Sequence, residues 1–236
     1  EQLISGLCLQ EASSVATATS EDLFHAKVTL ARYRKAFLSF YDSGDRYVPD
    51  EYRYADDVFP FHGLERLVEQ SKSVLIRGPS GCGKTLVARK LAVAHLHRNG
   101  IPVFISAKNF DGTLRRSIDS EIGLLDTSGP IALLRSARMA GAPLLLVVDG
   151  YNECNESLMV ALTRGAAAFA LRYGASVLLT SQALPARADL ILLAEVTVGY
   201  PSLAMKQELA NLSASDVSAA AKGVLLESVS SCLDAV

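Results

Sequence analysis

The sequence predicts an α/β fold, a five-stranded parallel sheet flanked by helices, with a helical segment before it and the start of a helical lobe after it. Three observations carry that prediction. From residue 74 onward, short apolar runs alternate with segments of helical periodicity. A glycine-rich loop joins the first such run to the first such segment. A later apolar run ends in Asp149-Gly150.

The 236 residues are 50% apolar, enough for one sizeable core or a core plus a smaller lobe. Lys and Arg number 23 against 25 Asp and Glu, so the net charge of -2 gives no global reason to expect nucleic acid or an acidic membrane as partner. Cys8, Cys82, Cys154 and Cys232 are scattered without a CxxC pair, which suits free thiols in a reducing, cytoplasmic setting. Apolar runs such as Leu144 to Val148 and Leu190 to Ala194 are too short to span a bilayer, and no signal peptide opens the chain. Because it begins at Glu1 and stops at Val236 in a helix-like stretch, the chain is expected to be a piece of a longer protein.

The elements follow in order. In Glu21 to Tyr41, residues Leu23, Ala26, Leu30, Tyr33, Phe37 and Phe40 recur at three- and four-residue steps, which predicts an amphipathic helix. Ser20 with Glu21 and Asp22 is the expected cap, and Asp42-Ser43-Gly44 the stop. Arg32, Arg34 and Lys35 are read as a solvated face of that helix, not as a nucleic-acid patch. Arg46 to Pro60 reads as an irregular or short-strand connection, followed by a helix over about Leu64 to Gln70. The predicted strands are Val74 to Ile76, Val103 to Ile105, Leu144 to Val148, Val177 to Leu179 and Val196 to Val198. Between the first two, Leu86, Lys90, Leu91 and Ala94 follow helical spacing, and Asn99-Gly100 closes that helix before Pro102. His95 and His97, two apart on a helix, diverge and make poor joint metal ligands. Leu203 to Leu212 and Val217 to Leu233 read as helices. The expected organisation is therefore a segment over 1–60, a nucleotide-binding core over 61–200 and a helical subdomain beginning at 201.

Gly78-Pro79-Ser80-Gly81-Cys82-Gly83-Lys84-Thr85 matches GxxxxGK[ST] at every fixed position and lies between a predicted strand and a predicted helix. Each residue type answers a chemical need. The glycines let the backbone turn so that amide N–H groups converge on phosphate oxygens. Lys84 brings a cation to the β- and γ-phosphates, the Thr85 hydroxyl can ligate Mg²⁺, and the helix adds its positive end. Cys82 occupies a variable position of the loop and is assigned no catalytic role. In Leu144-Leu145-Leu146-Val147-Val148-Asp149, the strand-end carboxylate suits the Mg²⁺ shell, and Glu153, four residues on, can polarise an attacking water. The strand over Val177 to Leu179 continues into Thr180-Ser181-Gln182, expected near the γ-phosphate if it lies between the other two strands.

Taken together, these stretches resemble the NACHT branch of the STAND class of signalling NTPases over roughly residues 45 to 215. In that family the second motif is an apolar run, Asp-Gly, a bulky residue and two acids. Here it becomes Asp149-Gly150-Tyr151-Asn152-Glu153, with Asn152 in place of the first acid. The family's usual Thr-Ser-Arg becomes Thr180-Ser181-Gln182. Ile101 to Ile105 looks like its second strand and Val196 to Pro201 like its fifth. Tyr47-Val48-Pro49 resembles an element that can approach the nucleotide base. The resemblance implies an ATP-controlled switch: ADP holds a closed form, exchange for ATP opens it, and opened subunits self-associate to activate an effector. Effector and sensor regions would lie outside this chain. The departures at Asn152 and Gln182 imply slow hydrolysis, with Lys84, Asp149 and Glu153 as the catalytic set.

Other readings are weighed against it. A GTPase would carry Asn-Lys-x-Asp, which is missing, and Ser106-Ala107-Lys108 follows the wrong strand to replace a guanine loop. A small-molecule kinase would need an arginine-rich lid. A DNA-associated ATPase of the AAA+ or helper type shares the same core, and a nucleotide-locked scaffold differs only in rate.

Overall fold

The computed structural model describes residues 19–42, 51–125, 128–184 and 194–200. Two compact units divide the chain, Glu1–Val198 and Gly199–Val236. Of the second, the described residues are Gly199 and Tyr200, so the predicted helices after 201 lie outside the described residues, as do Tyr47 and Val48.

Helix α1 (Ser20–Tyr41) buries Ala26, Leu30, Tyr33, Phe37 and Tyr41, a stripe stepping by four and three. Leu23 and Phe40, expected on that stripe, are exposed, because the buried face drifts toward Tyr41. The cap is Thr19, one residue before the expected Ser20. Its hydroxyl accepts from the Asp22 amide, and the Asp22 carboxylate accepts from the Thr19 amide, a reciprocal capping box. Arg34 donates to the Asn99 carbonyl at 2.5 Å and Arg32 to the Ser128 hydroxyl, so these cations serve contacts within the fold.

Strands β1 (Tyr52–Tyr54) and β2 (Asp57–Phe59) form an antiparallel hairpin. After helix α2 (Phe61–Gln70) come β3 (Ser73–Arg77), α3 (Lys84–His97) and β4 (Ile101–Ser106). Helices α4 (Leu114–Leu125) and α5 (Gly129–Met139) precede β5 (Leu144–Asp149). Helix α6 (Glu156–Tyr173), β6 (Ser176–Ser181) and β7 (Ala194–Val198) complete the described part. The Ala-rich stretch Ala166 to Ala170 is ordinary helix within α6.

The sheet order is β2-β1-β7-β3-β6-β5-β4. All five predicted strands are present and mutually parallel, and β6 separates β3 from β5 as expected. The sheet itself has seven strands, not five. The two additions come from the segment read as a connection: β1 pairs antiparallel with β7, matching Tyr52 to Val198 and Tyr54 to Val196. Strands of three residues are too short to show a period-two pattern, and it is pairing with the outer edge of β7 that fixes them as strands.

The inner strands are buried almost throughout. Residues Leu144 to Val148 of β5 and Val177 to Ser181 of β6 are all inaccessible, as strands covered on both faces require. Each such Leu or Val contributes roughly 1.5–3 kcal/mol on burial. At the other edge, Pro102 sits in β4, where a residue without an N–H is tolerated. The Tyr33 hydroxyl donates to the Pro102 carbonyl at 2.7 Å, tying α1 to that edge. Because the five strands are parallel, their C-terminal ends (Arg77, Ser106, Asp149, Ser181 and Val198) share one edge of the sheet. In open parallel sheets that edge is where ligands bind.

Candidate functional site

At the end of β3 the chain enters Gly78 to Gly83. A side-chain Cβ at Gly78 would lie 2.4 Å from the Val198 carbonyl oxygen and 2.8 Å from the Cys82 sulfur. Glycine is there because β7 closes on the loop from outside. Gly83 has φ 91° and serves as N-cap of α3, with no side-chain hydrogen bond to the first helical turn. A helix start not capped by its own side chains presents amide N–H groups to an anion. Cys82 is fully buried and belongs to the core. Ser80 and Gly81 are exposed at the tip of the loop, and Pro79 is half-buried.

Lys84 folds back over the loop. Its Nζ donates to the Gly78 carbonyl at 2.8 Å and to the Pro79 carbonyl at 2.6 Å. The ammonium is thus held at the mouth of the loop, where it can meet phosphate oxygens.

Three elements meet at Asp149. The Thr85 hydroxyl, from α3, donates to Asp149 Oδ1 at 3.2 Å. The Thr180 hydroxyl, from β6, donates to the same oxygen at 2.6 Å and accepts from the Gly150 amide at 2.8 Å. Thr180 is buried, so its hydroxyl fixes the carboxylate from a rigid strand. Thr85 and Asp149 therefore bring a hydroxyl and a carboxylate oxygen to one point at the mouth of the loop, a hard oxygen set of the kind that suits Mg²⁺. The residues present fit a Mg-nucleotide.

After Asp149 the chain makes a left-handed step at Gly150 and a single 3₁₀ turn over Tyr151–Glu153. Tyr151 is buried and hydrogen-bonds Thr163 at 2.8 Å, anchoring the turn to α6. Glu153 is exposed, and its carboxyl group lies close over Gly150, where an added Cβ would meet it at 3.0 Å. The structure thus brings Lys84, Thr85, Asp149 and Thr180 together and sets Glu153 on the adjoining turn. Gln182 is exposed and joins the cluster through its backbone: its amide donates to Asn152 Oδ1 at 2.9 Å. That partner for Asn152 was not anticipated from the sequence, where Asn152 counted only as a missing acid.

A groove of about 600 Å³ opens between α4, α5 and α6, with Leu114, Ile118, Leu134 and Phe169 among its lining residues, and no residue of the Gly78–Thr85 loop borders it. Among the described residues, no helix is long and apolar enough to cross a membrane.

No family profile matches the chain, and no curated protein matches it. Solved structures do. One, described as the structure of C. elegans PCH-2, is 17% identical with a TM-score of 0.45, over 64% of this chain and 44% of that one. Another, described as the structural basis for katanin self-assembly, is 16% identical with a TM-score of 0.42, over 66% and 56%. The matched part of this chain spans about half the length of these two structures. The strand order and the loop between β3 and α3 make the described core a P-loop α/β fold.

Proposed function

We propose that this chain is the nucleotide-binding core of an ATP-controlled switch of the NACHT/STAND kind, which binds MgATP, hydrolyses it slowly and changes its self-association with nucleotide state. The observation that carries the reading is the convergence of Thr85 and Thr180 on one oxygen of Asp149, beside a loop whose lysine folds over its mouth. Lys84 and the loop amides would hold the phosphates, and Thr85 and Asp149 the Mg²⁺. Bound metal would neutralise charge on the phosphates and draw electrons from the bond to be cleaved. Thr180 holds the Asp149 carboxylate in one orientation. Glu153, whose exposed carboxylate stands on the next turn, is the group available to orient a water. Adenine is favoured over guanine because the chain has no Asn-Lys-x-Asp stretch. The Asp149-Gly150-Tyr151-Asn152-Glu153 pattern supports the switch reading over an unspecified NTPase.

Calorimetry with MgATP tests it. A charged hydrogen bond of this type contributes about 1.5–3 kcal/mol, so Lys84→Ala should weaken ATP binding at least roughly tenfold. Unchanged affinity in a folded variant would sink the proposal. In the same titration, GTP competing as well as ATP would remove the adenine assignment.

A further inference from the structure

We propose that Asn152 is a positioning residue: it clasps the turn carrying Glu153 to the end of β6 and, through Ser181, to the first residue of the phosphate loop. The proposal of hydrolysis above is its premise for turnover, but the clasp itself is a matter of geometry.

Asn152 Oδ1 accepts from the Gln182 amide at 2.9 Å and from the Ser181 hydroxyl at 3.5 Å. The Ser181 hydroxyl also accepts from the Ala183 amide at 3.2 Å, and Ser181 is fully buried. On its other side the Ser181 carbonyl accepts from the Gly78 amide at 3.2 Å. A continuous polar path therefore runs from the turn, across the end of β6, to Gly78. The turn itself is a single 3₁₀ turn, closed by Glu153 N–H to the Gly150 carbonyl at 2.7 Å and Cys154 N–H to the Tyr151 carbonyl at 3.2 Å. Tyr151 fixes it to α6, and Asn152 ties it to the end of β6 beside the bond from the Gly150 amide to the Thr180 hydroxyl.

The chemistry of the side chain matters. An amide oxygen accepts the Gln182 and Ser181 bonds without adding charge. An aspartate could accept the same bonds through its carboxylate, so Asn152→Asp keeps the clasp that Asn152→Ala removes. Asn152 thus offers at this position the oxygen acceptor that an acid would offer, without a charge. Its loss would let Glu153 move, and misplacement of a reacting group by about 1 Å can cost on the order of a hundredfold in rate.

Two measurements decide the matter. The first needs no nucleotide: amide hydrogen exchange at Gln182 should accelerate in Asn152→Ala and stay near wild type in Asn152→Asp. Unchanged exchange in Asn152→Ala refutes the clasp, whatever the fate of hydrolysis. The second is single-turnover hydrolysis with ATP pre-bound. Asn152→Ala should slow the chemical step about tenfold to a hundredfold, with ATP affinity within about twofold of wild type and the rate largely restored by Asn152→Asp. In a Glu153→Gln background the Asn152→Ala change should add little, because residues acting through one another are non-additive. Full additivity, or a Glu153→Gln rate equal to wild type, overturns the role through Glu153. If the wild-type chain binds no nucleotide, the switch reading fails, and the exchange result still decides the clasp.

Discussion

The two ends of α3 are built on opposite plans. At its start, Gly83 gives no side-chain cap, and Lys84 covers the loop with its own ammonium. At its finish, the chain satisfies nearly everything itself. Arg98 N–H reaches the Ala94 carbonyl at 3.2 Å, Gly100 N–H the His95 carbonyl at 3.0 Å, and His95 Nε2 the Pro143 carbonyl at 3.1 Å. Arg98 pairs with Glu65 and Glu69 of α2 at 3.3 and 2.5 Å, and Arg34 of α1 reaches the Asn99 carbonyl. Under the proposed function the first end receives an anion brought from outside, and the other is closed by neighbouring elements. Changes at the first end should show chiefly in ligand binding, and changes at the second in stability alone.

The hardest test of that contrast is Gly78→Ala. Its Cβ would meet the Val198 backbone oxygen at 2.4 Å, and a strand backbone cannot step aside as a flexible side chain can. Forcing a methyl group into packed structure costs about 1–3 kcal/mol. The thermal midpoint should fall, and MgATP affinity should fall at least tenfold with it, since a shift of 1.4 kcal/mol in binding is a factor of ten. Wild-type affinity in this variant would mean that the loop shape does not set binding.

The same contrast explains what could be read in advance. Gly78 to Thr85 was legible because backbone turns and a helix start impose residue types directly, and those types stand in sequence at fixed spacing. Asp149 was legible because it ends an apolar run, and the place of β6 between β3 and β5 followed from the three motifs together. The β1–β2 hairpin was not legible as part of the sheet, because three-residue strands owe their pairing to β7, more than 130 residues away in the chain. Nor was the Asn152 clasp: its partner is the Gln182 backbone amide, and a main-chain donor leaves no trace in residue type. Thr19 was missed as the cap of α1 since Ser20, one residue later, offers the same hydroxyl.

At the closed end the effects should be smaller. Arg98 is partly exposed, and salt bridges in that position contribute only about 0–1 kcal/mol even when two carboxylates share one guanidinium. Arg98→Ala should therefore lower stability in urea by under about 1 kcal/mol and leave the ATP titration unchanged. A loss of ATP affinity would show that the far end of α3 reports to the phosphate loop, and the division of labour would fail.

The smallest effect is a dependence on pH carried by His95. Burial disfavours its charged form and pulls its pKa below the usual value near 6.5, against the opposing pull of the Pro143 carbonyl and Glu69; Arg98 adds to the lowering. A histidine whose folded pKa is depressed is held neutral by the fold. Its contribution is fully present above about pH 6.5 and is lost as pH falls through the lower, folded value. The neutral ring donates from Nε2 to the Pro143 carbonyl, so it fastens the end of α3 to the residue before β5. Glutamine at this position can offer an amide donor to the same carbonyl but cannot take up a proton. Denaturation of wild type and His95→Gln should therefore be compared at several pH values between 7.5 and 5. The wild type should lose stability relative to the variant on acidification below about pH 6.5, while ATP affinity at neutral pH is the same in both. Parallel stability curves would show that His95 is not held neutral by the fold, and the pH-independent backbone bonds, Arg34 and Arg98 would then be what closes this end of α3.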